Sequence, residues 1–167
     1  MKRILAVAMI MALLAPSAAF AVTGTIQATA NVLNALTVSS NLRTLDFGDV
    51  FPGAAKSIAF SDATSGKWQI DGELNAEVQM SFTLPAALTQ GANNLPISFG
   101  VTDAGYFATD AVFSAVQFDP NTGTTDRLDA AAGTGFVWLG GTVTPGAVQA
   151  PGIYNAVVSL DVVYTGN

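Results

Sequence analysis

The stretch "ELNAEVQMSFTL", residues 73–84, alternates without a break. Leu74, Ala76, Val78, Met80, Phe82 and Leu84 fall on one side, and Glu73, Asn75, Glu77, Gln79, Ser81 and Thr83 on the other. Successive side chains of an extended chain point to opposite faces, so this is a strand with one dry face and one wet face. Outside the first twenty residues no window has a helical period, charged residues are sparse, and short alternating runs are separated by Gly, Pro, Asn and Asp. That combination predicts an all-β sandwich.

Further strands are expected at 35–39, 44–47, 56–60, 67–71, 96–102, 112–118, 135–139 and 154–164. The segments "FPGAA", "DATSGK", "TQGANNLP", "DPNTGTTD" and "TPGAVQAPG" punctuate them. In the Pro-Gly pairs, proline fixes φ at one corner of a turn and glycine supplies a positive φ at the next. The one helical candidate is "PAALTQ", a turn or two. No linker or internal repeat interrupts the chain, so a single domain is expected.

Before the first alternating run, Lys2 and Arg3 precede an uncharged apolar stretch, Ile4 to Leu14, and Ala19-Phe20-Ala21 has the small-x-small form of a cleavage site. The stretch is too short to span a bilayer, and residues 1–21 read as a secretory signal peptide. Without them, four basic residues stand against twelve carboxylates, a net charge of −8. Nucleic acid and anionic membrane surfaces are not expected partners, and no membrane insertion is expected. Cysteine and histidine are both absent. An exported domain of this kind relies on packing rather than disulfides. It also lacks the usual general base near neutral pH, a thiolate nucleophile and the usual zinc ligands.

Two alternating runs sit near the ends of the mature chain. In "VTGTIQATANV", residues 22–32, the set Val22, Gly24, Ile26, Ala28, Ala30 and Val32 faces away from Thr23, Thr25, Gln27, Thr29 and Asn31. In 154–164, Tyr154, Ala156, Val158, Leu160, Val162 and Tyr164 share a face. The run from 22 to 40 is longer than one strand of about 5–6 residues, as if two strands lay in tandem, one able to leave while the other stays.

The C-terminal "APGIYNAVVSLDVVYTGN", with Gly152 twelve positions before Tyr164, resembles the terminal strand motif of chaperone-usher pilins. The segment "TLDFGDVFPGAAKSIAF" resembles a strand and turn near the start of such subunits. Both blocks also resemble a related group of cysteine-free bacterial secreted domains of unknown function. The chain departs from the pilin pattern in lacking a disulfide and in continuing Thr165-Gly166-Asn167 beyond the tyrosine.

The resemblance implies an immunoglobulin-like, pilin-like β-sandwich over 32–167. It also implies an N-terminal extension, 22–31, donated to a neighbouring subunit. Its donor face would be Val22, Gly24, Ile26, Ala28 and Ala30. The acceptor groove would be lined by the terminal strand with Gly152, Tyr154, Ala156, Val158, Leu160, Val162 and Tyr164. The function implied is a structural subunit of a surface pilus or fimbria, a homopolymer built by donor-strand complementation with the help of a periplasmic chaperone and an outer-membrane usher. The alternative is a self-complemented, monomeric secreted domain that binds a carbohydrate or a cell-surface component.

Other signals have plainer readings. Trp68 and Trp138 are expected in a core or at an edge rather than under a sugar ring. "DPNTGTTDRLD" offers Asp119, Asn121, Asp126 and Asp129 at calcium-like intervals, but Ala130 stands where the bidentate glutamate belongs, and the segment reads as a solvated turn. Asp71 and Glu73 could in principle flank a glycosidic bond, but as two acids on one solvated face beside a turn they read as plain surface. No enzyme activity, metal or cofactor is expected.

Overall fold

The computed structural model describes residues 22–166. The expected leader lies outside the described residues. The alternating run 73–84 becomes strand β4, Glu77–Thr83, and its apolar row forms the centre of the molecule, with Val78 and Met80 at 0% exposure. In chain order the other strands are β1 (Thr37–Arg43), β2 (Lys56–Ile58), β3 (Gly66–Asp71), β5 (Ala87–Gln90), β6 (Asn93–Ser98), β7 (Ala104–Phe107), β8 (Val116–Phe118), β9 (Thr124–Arg127), β10 (Thr134–Leu139), β11 (Gly141–Val143) and β12 (Ser159–Tyr164). All of them lie in the compact unit Val32–Asn167.

The strands form three antiparallel sheets in the orders β1-β3-β10-β7-β8, β2-β11-β6-β5 and β12-β4-β9. The inner faces of the first and third share one core. Trp68 and Ile70 of β3, Tyr106 of β7 and Val137 of β10 pack with Val78 and Met80 of β4. This is an all-β arrangement compatible with a β-sandwich, the alternation of each strand supplying one buried row. Phe82 sits between Trp68, edge-on at 5.6 Å, and Phe118, stacked at 6.2 Å. A second core under the four-stranded sheet gathers Phe47, Ile58, Leu95, Ile97 and Val143, and Phe99 touches both cores.

The chain crosses from one sheet to the next between β10 and β11. Gly140 lies so close to the backbone of β2 that a Cβ there would collide with the Ile58 carbonyl. A side chain cannot be accommodated without parting the two sheets.

Several expected elements differ. "PAALTQ" is not helical: residues 87–90 are β5, which pairs with β6 from Ala87↔Pro96 to Gln90↔Asn93. The tight turn between them has Gly91 at φ +57°, so hairpin closure overrides the helical preference of its alanines and leucine. Residues 44–47 form no strand, although Phe47 is buried in the second core. Residues 112–114 make a 3-10 turn, and only Val116–Phe118 of that run is extended. β7, β9 and β11 were not expected. They are short, and the sequences AGYF, TTDR and GTV show no apolar alternation. The tryptophans are interior: Trp68 is 8% and Trp138 1% exposed.

Candidate functional site

The C-terminal run does not form one strand. Its ladder with β4 begins at Ser159↔Thr83 and runs to Tyr164↔Val78. Extending it upstream would bring Pro85 into the ladder, and proline has no N–H to donate. Residues 153–158 therefore leave the sheet as part of a strap between β11 and β12. A single bridge holds this part to β5: the Thr89 N–H donates to the Asn155 carbonyl at 2.9 Å, and the Asn155 N–H returns to the Thr89 carbonyl at 3.1 Å.

β12 is an edge. Among the described residues it pairs only with β4, and β1, at the end of the five-stranded sheet, pairs only with β3. The inward rows show how open this side of the molecule is. Directly opposed residues of an antiparallel pair share a face. Val162 lies across from Met80 and Tyr164 across from Val78, yet both are half-buried where their β4 partners are fully buried. On the other sheet Val38 lies across from Ile70, which is 0% exposed, and is itself 37% exposed. Core-facing side chains on both edge strands are thus left partly uncovered, and alternate backbone groups of β12 have no ladder partner.

One end of this seam is closed by polar groups. The Tyr164 hydroxyl accepts the Glu73 N–H at 2.7 Å and donates to the Asn34 carbonyl at 3.0 Å. The Asn34 N–H donates to Glu73 Oε2 at 3.0 Å. Glu73 is thus engaged in a clasp between chain segments, and Asp71 Oδ1 accepts from Gln69 Nε2 at 2.8 Å. Asn34 and Val38 had no signal in the sequence, because nothing in a local pattern reveals which distant segments will meet.

Of the residues expected in the acceptor groove, Val158, Leu160, Val162 and Tyr164 pack on the main core from β12 and its approach. Tyr154 packs on the second core instead, and Ala156 is exposed. Gly152 adopts φ +146° in the strap, where a Cβ would run into the Gln90 side chain, so both backbone and space require glycine. The Tyr154 hydroxyl donates to the Ala150 carbonyl at 2.8 Å and accepts from Gln149 Nε2 at 2.8 Å.

The expected donor residues Val22, Gly24, Ile26, Ala28 and Ala30 belong to a segment, 22–31, that forms no strand and is exposed throughout. Val22 and Ile26 are 95% and 97% exposed.

The acidic turn spends its oxygens on the backbone. Asp119 Oδ1 accepts from the Asn121 N–H at 2.9 Å, and Asp129 Oδ1 accepts from the N–H groups of Ala131 and Ala132 at 2.9 and 2.7 Å. Among the described residues no three acidic side chains converge as a metal site would need. Burial raises the pKa of the Tyr106 hydroxyl, and the charges of Asp126 and Asp129 add to the shift. This hydroxyl is spent on the Arg127 carbonyl at 2.8 Å. No protein-family model matches the chain, and no curated protein matches it significantly.

Proposed function

We propose that this chain is a structural subunit of a surface fibre, a pilin-like immunoglobulin-like domain that polymerises by strand donation. The observation that carries this reading is the pairing of two incomplete features. β12 has a free backbone edge with a half-covered apolar row, and the chain also holds an alternating, uncharged, strand-less segment at 22–31. A strand added at that edge would satisfy backbone groups and fill the open row at once. Tyr154, whose hydroxyl reaches back four residues to a carbonyl, has the form of the tyrosine corner of immunoglobulin-like sandwiches, which supports that fold. Export through the leader, a periplasmic chaperone that covers the edge before assembly, and an outer-membrane usher belong to this proposal. It needs no cofactor.

The test is the native product sheared from cells and run in SDS without boiling beside a boiled sample. A ladder that collapses to one band on boiling is the expected result, and a single monomer band in both lanes would overturn it. Gly24→Trp is expected to abolish the ladder while leaving the domain's melting temperature within about 2 °C of the parent, since Gly24 touches nothing within 4 Å in the free subunit. The alternative, a self-complemented domain that binds a carbohydrate or surface component, draws on a cleft of about 450 Å³ beside Tyr154 and Pro151. Both tryptophans are buried, so neither offers that reading a stacking platform.

A further inference from the structure

The strap that leads into β12 carries a second set of exposed apolar side chains. The strap turns outward Val148, 96% exposed, Ile153, 84%, and Val157, 81%, and the loop before β2 adds Phe51, 73%. Loop and strap are joined. The Gly53 N–H donates to the carbonyls of Pro145 and Gly146 at 3.2 and 3.1 Å, and the cleft of about 450 Å³ lies between Pro52 on one side and Pro145, Pro151 and Tyr154 on the other. The strap is also held in shape by its own polar groups: Gln149 Nε2 donates to the Asn94 carbonyl at 3.1 Å and to the Tyr154 hydroxyl at 2.8 Å. A preformed apolar surface of this kind marks an interaction site.

Charge indicates what covers it. The described residues hold four basic and twelve acidic side chains, yet residues 50–55 and 130–160 hold none. Two copies of so acidic a chain repel where their charged faces meet and can approach closely only through uncharged ones. Residues 22–42, which contain the donor segment, and residues 78–102 are likewise uncharged.

Geometry links the donor segment to the strap. Every ladder of the described strands is antiparallel. A strand added to β12 in the same sense starts at the Tyr164 end and leaves at the Ser159 end, where the strap begins. At about 3.3 Å per residue the segment 22–31 spans about 33 Å against about 20 Å for β12, so its last residues run on past Ser159, the end at which the strap enters β12. The compact unit of the donating copy begins at Val32.

We infer that the 50–55 loop and the 145–157 strap dock the body of a second copy of this chain, the copy whose N-terminal segment completes the β12 edge. The inference rests on the strand-donation reading and adds a second contact to it. The test compares the full mature chain with Val148→Asp, Ile153→Asp and the uncharged Val148→Ser and Ile153→Ser. These side chains are almost wholly exposed, so the variants keep the parent's circular dichroism and melting temperature. The concentration needed for assembly is expected to rise about tenfold or more. The aspartates should do more harm than the serines, and most at low salt, where like charges are least screened. A synthetic peptide of residues 22–31 should inhibit assembly of parent and variants equally, because it competes only for the edge. Parent-like assembly of all four variants overturns the docking surface and leaves strand donation standing. Weakened inhibition by the peptide in the variants also overturns it, since the substitutions would then act on the strand groove. A parent that neither assembles nor responds to the peptide overturns both.

Discussion

β4 and β12 are written alike, as apolar residues alternating with polar ones, and they end in different circumstances. β4 has a strand on either side, and Val78 and Met80 of its inward row are fully buried, with Phe82 at the end of the row half-buried. β12 has a strand on one side, its inward row is half-open, and the upstream half of its run has left the sheet. Alternation states which face of a strand is dry, but it does not state how many neighbours the strand has. The difference in burial across a single ladder, Met80 against Val162, marks where the molecule is closed and where it is open.

The largest effect should come from the closed side. Met80→Ala is expected to cost about 2–5 kcal/mol, read as a drop in the urea midpoint, because the sealed core leaves a cavity behind. The same truncation at the edge, Val162→Ala, should cost about 1 kcal/mol or less, and under the proposed strand donation it should weaken assembly by more than it weakens folding. Equal losses at the two positions would break the comparison.

A second difference concerns protons. The Tyr106 hydroxyl in the sealed core has its pKa raised above the ordinary 10.0, chiefly by burial. The folded state therefore holds this proton more tightly than the unfolded chain does. The associated stability is complete below about pH 10 and is lost as pH rises above it, by up to about 1.4 kcal/mol per pH unit. Urea titrations between pH 8 and 11 should show that decline, and Tyr106→Phe should flatten it. An unchanged slope in the variant would mean that groups other than Tyr106 set the decline.

The most local effect should be at the clasp. Tyr164→Phe removes two hydrogen bonds and is expected to cost about 1–2 kcal/mol. The loss should appear as faster amide exchange confined to β12 and residues 34–38, with exchange in β4 unchanged. Faster exchange throughout the molecule would mean that the edge and the core open as one unit.

Much of the architecture can be read along the chain. The β class, β3, β4, β10 and the second half of the terminal run follow from alternation, and the turn at Gly91 follows from the residue. The strands that escaped notice are those with no pattern to display. β7 carries Gly105 at its centre, β9 is a polar ladder partner, and β11 is three residues long. The inward row of the terminal strand was legible at Leu160, Val162 and Tyr164. Its upper half was not, because the limit is set by Pro85 on another strand.

What the sequence by itself determined is which residues are dry on each strand, where the chain turns, and that two alternating runs lie toward its ends. These follow from local sterics and the period of an extended backbone. Only the tertiary structure decided that β12 and β1 are edges, that Tyr154 belongs to a different core from Tyr164, and that Glu73 closes a clasp instead of standing free. Those facts depend on which strands become neighbours, and neighbours are chosen by packing between residues far apart in the chain.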